Sequence, residues 1–247
     1  MSASQASHLV VTVHGIRTYG QWQERLEALV KASAGGEAIQ FSNYRFGIFS
    51  ALSFAIPPLR WWRVRQFRRE LMRLCELKGW TRIDLVGHSF GTYLIAWAIA
   101  GLPKDSKLSF HTVILSGSVL RSAFPWHEYL GRRILRLIND CGSRDGVLLL
   151  SQFFVFFTGM AGRSGFTGST GESFRNRHSV FGHSGYFVDA LRKPTDDYMR
   201  EHWLPLLASD GPAAAFDLRP PPTPLDIAIE TLATHAGIIK LVVYLTP

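Results

Sequence analysis

One stretch, Ile83-Asp-Leu-Val-Gly-His-Ser-Phe-Gly-Thr92, limits what this chain can fold into more than any other. Thr81 to Val86 reads as a short buried strand, and Tyr93 to Ala100 is apolar and rich in helix formers. Between them, Gly87-His88-Ser89-Phe90-Gly91 leaves a turn of a few residues. A strand that turns so sharply into a helix forces the residue at the bend into strained backbone. Glycines at 87 and 91 let strand and helix pass close to that bend. The Ser89 hydroxyl then stands clear of the sheet, with a helix N-terminus beneath it, where negative charge is favoured.

The rest of the chain repeats the strand and helix alternation. Leu9-Val-Val-Thr-Val13 is a β-branched run, and Gln21 to Lys31 has helical spacing with Trp22, Leu26, Leu29 and Val30 on one face. Ile39 to Phe46 reads as a strand, Gly47 to Pro58 as an apolar irregular stretch beside the site, and Leu59 to Lys78 as a long helix. His111 to Ser116 and Arg133 to Asn139 are further strands, and Ser173 to Phe181 a last one. Such alternation predicts an α/β domain, a mostly parallel sheet with helices on both faces. Ligands in such sheets bind at the carboxyl ends of the strands, where Ser89, His14 and Asp145 would all lie. Val147 to Met160 is greasy enough for a buried helix or an apolar lid, Gly159 to Gly171 reads as a mobile loop, and Asp196 to Leu207 as a helix. We expect the domain to span residues 1–210, followed over 211–247 by a proline-rich linker (211–224) and an apolar, amphipathic segment (Leu225 to Leu245).

With 247 residues, 47% of them hydrophobic, the chain has the material for a large single core. Two cysteines make no disulfide framework. Residues 1–7 lack the basic and apolar regions of a secretory leader, so a cytoplasmic protein is expected. The net charge of +8 is concentrated in Arg60, Arg63, Arg65, Arg68, Arg69 and Arg73. That face reads either as a solvated helix surface or as a contact with an anionic membrane surface or another partner. No zinc-finger spacing or RNP-like strand is present, so nucleic acid is not an expected partner.

A serine hydroxyl needs a base within hydrogen-bond reach, and the base needs an acceptor to fix its tautomer. Asp145, after a strand and a Gly-Ser-Arg turn, is the candidate acid, with Asp140 as the alternative. His183, in a Gly182-His183-Ser184-Gly185 turn, is the candidate base; His178 competes, but its Arg-Asn-Arg neighbours predict an exposed side chain. His14-Gly15 closes the first strand, and Gly15 lets the Ile16 N–H turn inward beside that of Phe90, giving two donors for an oxyanion. His14, Gly15 and His88 are expected to border the substrate, with His14 and His88 more structural than catalytic.

These motifs together resemble the α/β-hydrolase superfamily, in particular its lipase and serine-esterase branches. Val13-His-Gly-Ile16 and Gly87-His-Ser-Phe-Gly91, the latter fitting the Gly-x-Ser-x-Gly nucleophile elbow, carry the likeness. Ser89, Asp145 and His183 follow the order serine, acid, histidine that the superfamily uses. With no room for strands ahead of residue 9, the chain resembles compact members that begin at the oxyanion strand. The resemblance implies cleavage of a carboxylic ester with an apolar acyl group through an acyl-enzyme, with no metal or cofactor. The same triad serves amidases and thioesterases, and a non-catalytic lipid- or protein-binding module shares the fold.

Overall fold

The computed structural model describes residues 7–16, 20–45, 54–169 and 171–234. Six strands form one sheet: β1 (His8–Val13), β2 (Ile39–Tyr44), β3 (Arg82–His88), β4 (Phe110–Ser116), β5 (Ile134–Gly142) and β6 (Phe174–Ser179). Their spatial order is β2-β1-β3-β4-β5-β6, and every pairing is parallel. The expected mostly parallel sheet is therefore wholly parallel. A parallel sheet has to be covered on both faces, because the crossovers between its strands lie there.

Side chains alternate across the sheet accordingly. Val11, Val13, Leu85, Val113, Leu115 and Leu137 enter one core with Phe67 and Leu71 of α2 (Pro57–Glu76) and the apolar α3 (Phe90–Ala100). Val10, Val86, Ile114 and Ile138 point the other way, onto Trp22 and Leu26 of α1 (Gln21–Lys31) and onto Met199, Trp203 and Leu206. The latter three lie on α6, a π-helical turn, Met199–Trp203, that runs into Leu204–Ala208. Two short helices, α4 (Gly146–Phe154) and α5 (Ala161–Ser164), bridge β5 and β6.

The chain reverses direction across the sheet next to β1. From β1 it moves outward to β2, then returns to the far side of β1 as β3 and continues through β4, β5 and β6. Crossovers leave the sheet in opposite senses there, so a crevice opens between the carboxyl ends of β1 and β3. His14-Gly15 follows β1 and Ser89 follows β3, at the two lips of that crevice.

Several expectations are corrected. β5 runs three residues beyond Asn139, to Gly142, because Cys141 and Gly142 pair with His178 and Ser179 of β6. The stretch from Gly159 to Gly171 is not a plain mobile loop. It contains α5, and Gly159 and Gly162 pack so tightly on residues 117–121 that a Cβ on either would strike backbone. Residues 216–218 lie beside β6: Phe216 and Leu218 hydrogen-bond the His178 backbone at 3.2 and 2.8 Å. Residues 224–234 form α7 (Pro224–Thr234), whose Ala233 carbonyl accepts from Gln152 of α4 at 2.9 Å. The remainder of the expected C-terminal segment, like Phe46 and most of 47–58, lies outside the described residues. No helix among the described residues is long and apolar enough to cross a membrane.

Candidate active site

Ser89 is held at the bend between β3 and α3 with φ 54° and ψ −123°, backbone that a non-glycine residue rarely adopts. The surroundings hold it there. Its N–H bonds the Ser116 carbonyl at 3.0 Å, and its carbonyl accepts from the Thr92 N–H at 3.0 Å and the Thr92 hydroxyl at 2.6 Å. Thr92 in turn accepts the Val119 N–H at 3.3 Å, tying the bend to the loop after β4. The hydroxyl is left within reach of the crevice, with Ser89 9% exposed.

Asp145 and His183, the candidate acid and base, come from neighbouring loops that are bonded to each other. After β5, Ser143 and Arg144 donate to the carbonyls of Ser179, which ends β6, and Phe181, just after it, at 2.9 and 3.0 Å. That brings Asp145 and His183 together across the gap. Asp145 is fully buried at the N-terminus of α4, where its Oδ1 accepts the Leu148 N–H at 3.0 Å. Its Oδ2 accepts from His183 Nδ1 at 2.7 Å. With Nδ1 carrying the proton, His183 Nε2 is the acceptor, and it faces Ser89 Oγ at 2.8 Å.

His183 is also supported from behind. Gly117, at φ 54°, passes so close that a Cβ there would lie 3.2 Å from the ring. His88 is completely buried, and its Nε2 donates to the His183 carbonyl at 2.8 Å. Burial, reinforced by the nearby His183, holds the His88 imidazole well below its ordinary value. His88 is thus a neutral strut under His183 and presents no exposed surface, which corrects its expected place at the substrate's border. Neither Gly117 nor Thr92 stood out in the sequence, although a glycine directly after a strand next to the nucleophile's own is the signal that would have found the first.

Gly15 lies directly against Ser89. A Cβ on it would stand 2.6 Å from Ser89 Cβ and 3.2 Å from Oγ. His14 is nearly buried, its Nδ1 donates to the Gly15 carbonyl, and burial lowers its affinity for a proton. Ile16 is partly buried against the core beside them.

The alternatives are engaged elsewhere. Asp140 is fully buried in a two-pronged pair with Arg177, at 2.6 and 2.9 Å, and also accepts from the Trp203 indole at 2.7 Å. His178 is 6% exposed, not a surface residue, because residues 216–218 cover the outer edge of β6. The arginine face of α2 is also narrower than expected: Arg60 is wholly buried, its guanidinium 5.4 Å from the Phe54 and Tyr93 rings. Among the described residues no cluster of His, Cys, Asp and Glu could hold a metal ion.

The decisive observation is a strained serine after the third strand of a parallel sheet, bonded to a histidine beyond the last strand and through it to an acid beyond the fifth. The chain has the α/β-hydrolase fold. No family model and no curated protein matches the sequence. Among solved structures it is similar to a gene product of Listeria innocua, with TM-score 0.52 and 9% identity over 86% of this chain and 99% of the other. It is also similar to a protein of Xanthomonas campestris pv. campestris described as a hydrolase of the alpha/beta superfamily (TM-score 0.40, 15% identity, 71% of this chain and 88% of that one). A third, described as a CIB-like hydrolase from Thermoplasma acidophilum, gives 0.45 and 12% over 94% and 89%. The first of these shares the fold of this chain. Along the chain, Ser89, Asp145 and His183 follow β3, β5 and β6 in turn.

Proposed function

We propose that this α/β-hydrolase is a serine hydrolase that cleaves a carboxylic ester through Ser89, His183 and Asp145. The observation that carries the reading is the unbroken hydrogen-bond chain, 2.8 Å from Ser89 Oγ to His183 and 2.7 Å from His183 to Asp145, on a strained bend.

In this scheme Ser89 Oγ bonds to the ester carbonyl carbon while its proton passes to His183 Nε2. The Asp145 carboxylate fixes the tautomer and steadies the imidazolium. The carbonyl oxygen becomes an oxyanion, for which the backbone N–H groups of Phe90, at the start of α3, and Ile16 are the proposed donors. The C–O bond then breaks and the leaving alkoxide takes the proton from His183. A water molecule repeats the sequence on the acyl-enzyme, releasing the carboxylic acid and restoring Ser89.

An apolar acyl group and an anionic membrane surface are the proposed substrate class and partner. Ile56, Leu59 and Trp62 stand exposed at the start of α2, with the exposed Arg65 and Arg69 further along it, a pairing that suits a lipid interface. Salt-sensitive binding to anionic vesicles is expected; equal binding to neutral vesicles would remove the membrane from the scheme.

A fluorophosphonate probe tests the chemistry. Labelling of the wild type and none of Ser89→Ala is expected. A folded wild type that is not labelled would favour a binding module over an enzyme.

A further inference from the structure

The turn ahead of Asp145 is held both at its N–H groups and at a carbonyl. Its N–H groups are spent: Ser143 and Arg144 donate to Ser179 and Phe181, and the Asp145 N–H closes the turn on the Gly142 carbonyl at 3.1 Å. The Ser143 carbonyl, two residues ahead of Asp145, accepts from Nη1 of Arg163. Arg163 lies on α5 and is only 9% exposed. Withdrawing a guanidinium from water is costly unless it gains a strong partner, and a charged donor holds a carbonyl roughly twice as firmly as a neutral one. α5 is a firm base for that contact. Asn139 of β5 donates to the Ala161 carbonyl at 3.0 Å, the Gly162 N–H bonds the Ser118 carbonyl at 2.8 Å, and the Ser164 and Ser122 hydroxyls are 2.8 Å apart.

The same guanidinium reaches the C-terminal helix. Its Nη2 lies 3.7 Å from Asp226 Oδ1, in the first turn of α7. The other Asp226 oxygen accepts from the Thr223 N–H and hydroxyl at 2.9 and 2.6 Å, which orients the carboxylate. Near its other end α7 meets α4, the helix that Asp145 caps, where Gln152 donates to the carbonyl of the fully buried Ala233. α7 therefore touches the mount of Asp145 twice, through Arg163 at the turn before it and through Gln152 at the helix after it.

We infer that Arg163 is a positioning residue for Asp145 and that α7 completes the mount, so that residues 224–234 belong to the catalytic unit; the inference rests on the serine-hydrolase reading for its effect on rate. Without the Arg163 contact the turn over 143–145 can shift, and Asp145 Oδ2 then leaves its 2.7 Å bond to His183 Nδ1. Neither Arg163 nor α7 is asked to bind substrate, so kcat falls while KM holds.

The test measures kcat and KM on p-nitrophenyl acetate, together with the low-field proton NMR resonance of the His183 Nδ1–H, identified by its loss in His183→Ala. Arg163→Met, Arg163→Lys and Asp226→Lys are compared with Arg175→Met as control. Arg175 also donates to backbone carbonyls, those of Gly171 and Phe174, but at the opposite end of β6. Arg163→Met should lower kcat by about tenfold or more, because a 1 Å misplacement costs on the order of 100-fold and the bonds to Ser179 and Phe181 retain part of the turn. The resonance should shift or broaden with it. Arg163→Lys keeps a charged donor and should recover most of the rate. Asp226→Lys sets a like charge against Arg163 and should lower kcat about threefold, with a spectral change in the same direction. Arg175→Met should leave both readouts at their wild-type values. Wild-type kcat and an unmoved resonance in Arg163→Met overturn the inference, as does an equal change in Arg175→Met. A response in Arg163→Met but none in Asp226→Lys removes α7 from the mount. If Arg163→Met does not fold, Asp226→Lys decides, and wild-type kcat with an unmoved resonance there overturns the inference. If the wild type neither hydrolyses the ester nor takes up a fluorophosphonate, the serine-hydrolase reading fails by itself, and the resonance alone decides the role of Arg163.

Discussion

Gly15→Ala isolates the placement of Ser89, the proposed nucleophile, from its chemistry. The added methyl would begin 2.6 Å from Ser89 Cβ. Carbon atoms at rest lie about 3.5–4.0 Å apart, so the two must separate by about 1 Å. Gly15 is not in the left-handed region, so alanine brings no backbone strain of its own. Ser89 has little freedom to yield, because its N–H is bonded to Ser116 and its carbonyl to Thr92. Either Oγ leaves the 2.8 Å contact with His183 Nε2, or the 14–16 turn withdraws with the Ile16 N–H. A displacement of about 1 Å in a reacting group costs on the order of 100-fold in rate. The accompanying overpacking should cost about 1–3 kcal/mol of stability, leaving a folded protein. The assay is kcat/KM on an ester the wild type accepts, with fluorophosphonate labelling rate and a thermal melt on the same preparation. A variant that melts cooperatively and keeps kcat/KM within about threefold of wild type would refute the reasoning, since so small a change leaves no room for a displaced nucleophile.

Asp145→Asn keeps an oxygen for the Leu148 N–H but places a donor or a misoriented group against His183 Nδ1. It should lower kcat by about 10,000-fold with an unchanged circular dichroism spectrum, and a loss under tenfold would deny Asp145 the orienting role. Arg177→Met strands the buried Asp140 carboxylate and should cost about 3–5 kcal/mol, read from the urea midpoint; a cost under about 1 kcal/mol would mean that Asp140 does not depend on this partner. Because the folded His88 imidazole titrates below its unfolded value of about 6.5, stability is complete above that pH and falls below it, as only the unfolded chain takes up the proton. His14, His111, His178 and His202 are shifted in the same direction. The urea midpoint should therefore drop between pH 7 and pH 5, and His88→Asn should flatten that drop by up to about 1.4 kcal/mol per pH unit; identical slopes would count against a buried neutral His88.

What could be read in the sequence was what local chemistry dictates. Ser89 is flagged by two glycines, an apolar strand and an apolar helix within a few residues, and Asp145 and His183 by glycine-flanked turns after strands. Long-range coverage left no such mark. His178 looked exposed beside Arg175 and Arg177, yet residues 216–218 return to cover it, and Arg177 itself turns inward to Asp140. Arg60 sits among arginines that do face water, and its burial against Phe54 and Tyr93 depends on α2 packing on α3, which helical spacing does not reveal. Gly159 and Gly162 read as loop residues for the same reason that they pack closely: neither has a side chain to keep the 117–121 backbone away.

Ser89 follows an interior strand, whereas His183 follows β6, which ends the sheet with only residues 216–218 beyond it. Peripheral strands open at lower free energy than central ones, so partial fraying can separate the pair while most of the molecule stays folded. Gentle heating or dilute denaturant should then switch the protein off reversibly, ahead of its melt. Because the Asp140–Arg177 pair ties β6 to β5, Arg177→Met should widen that interval.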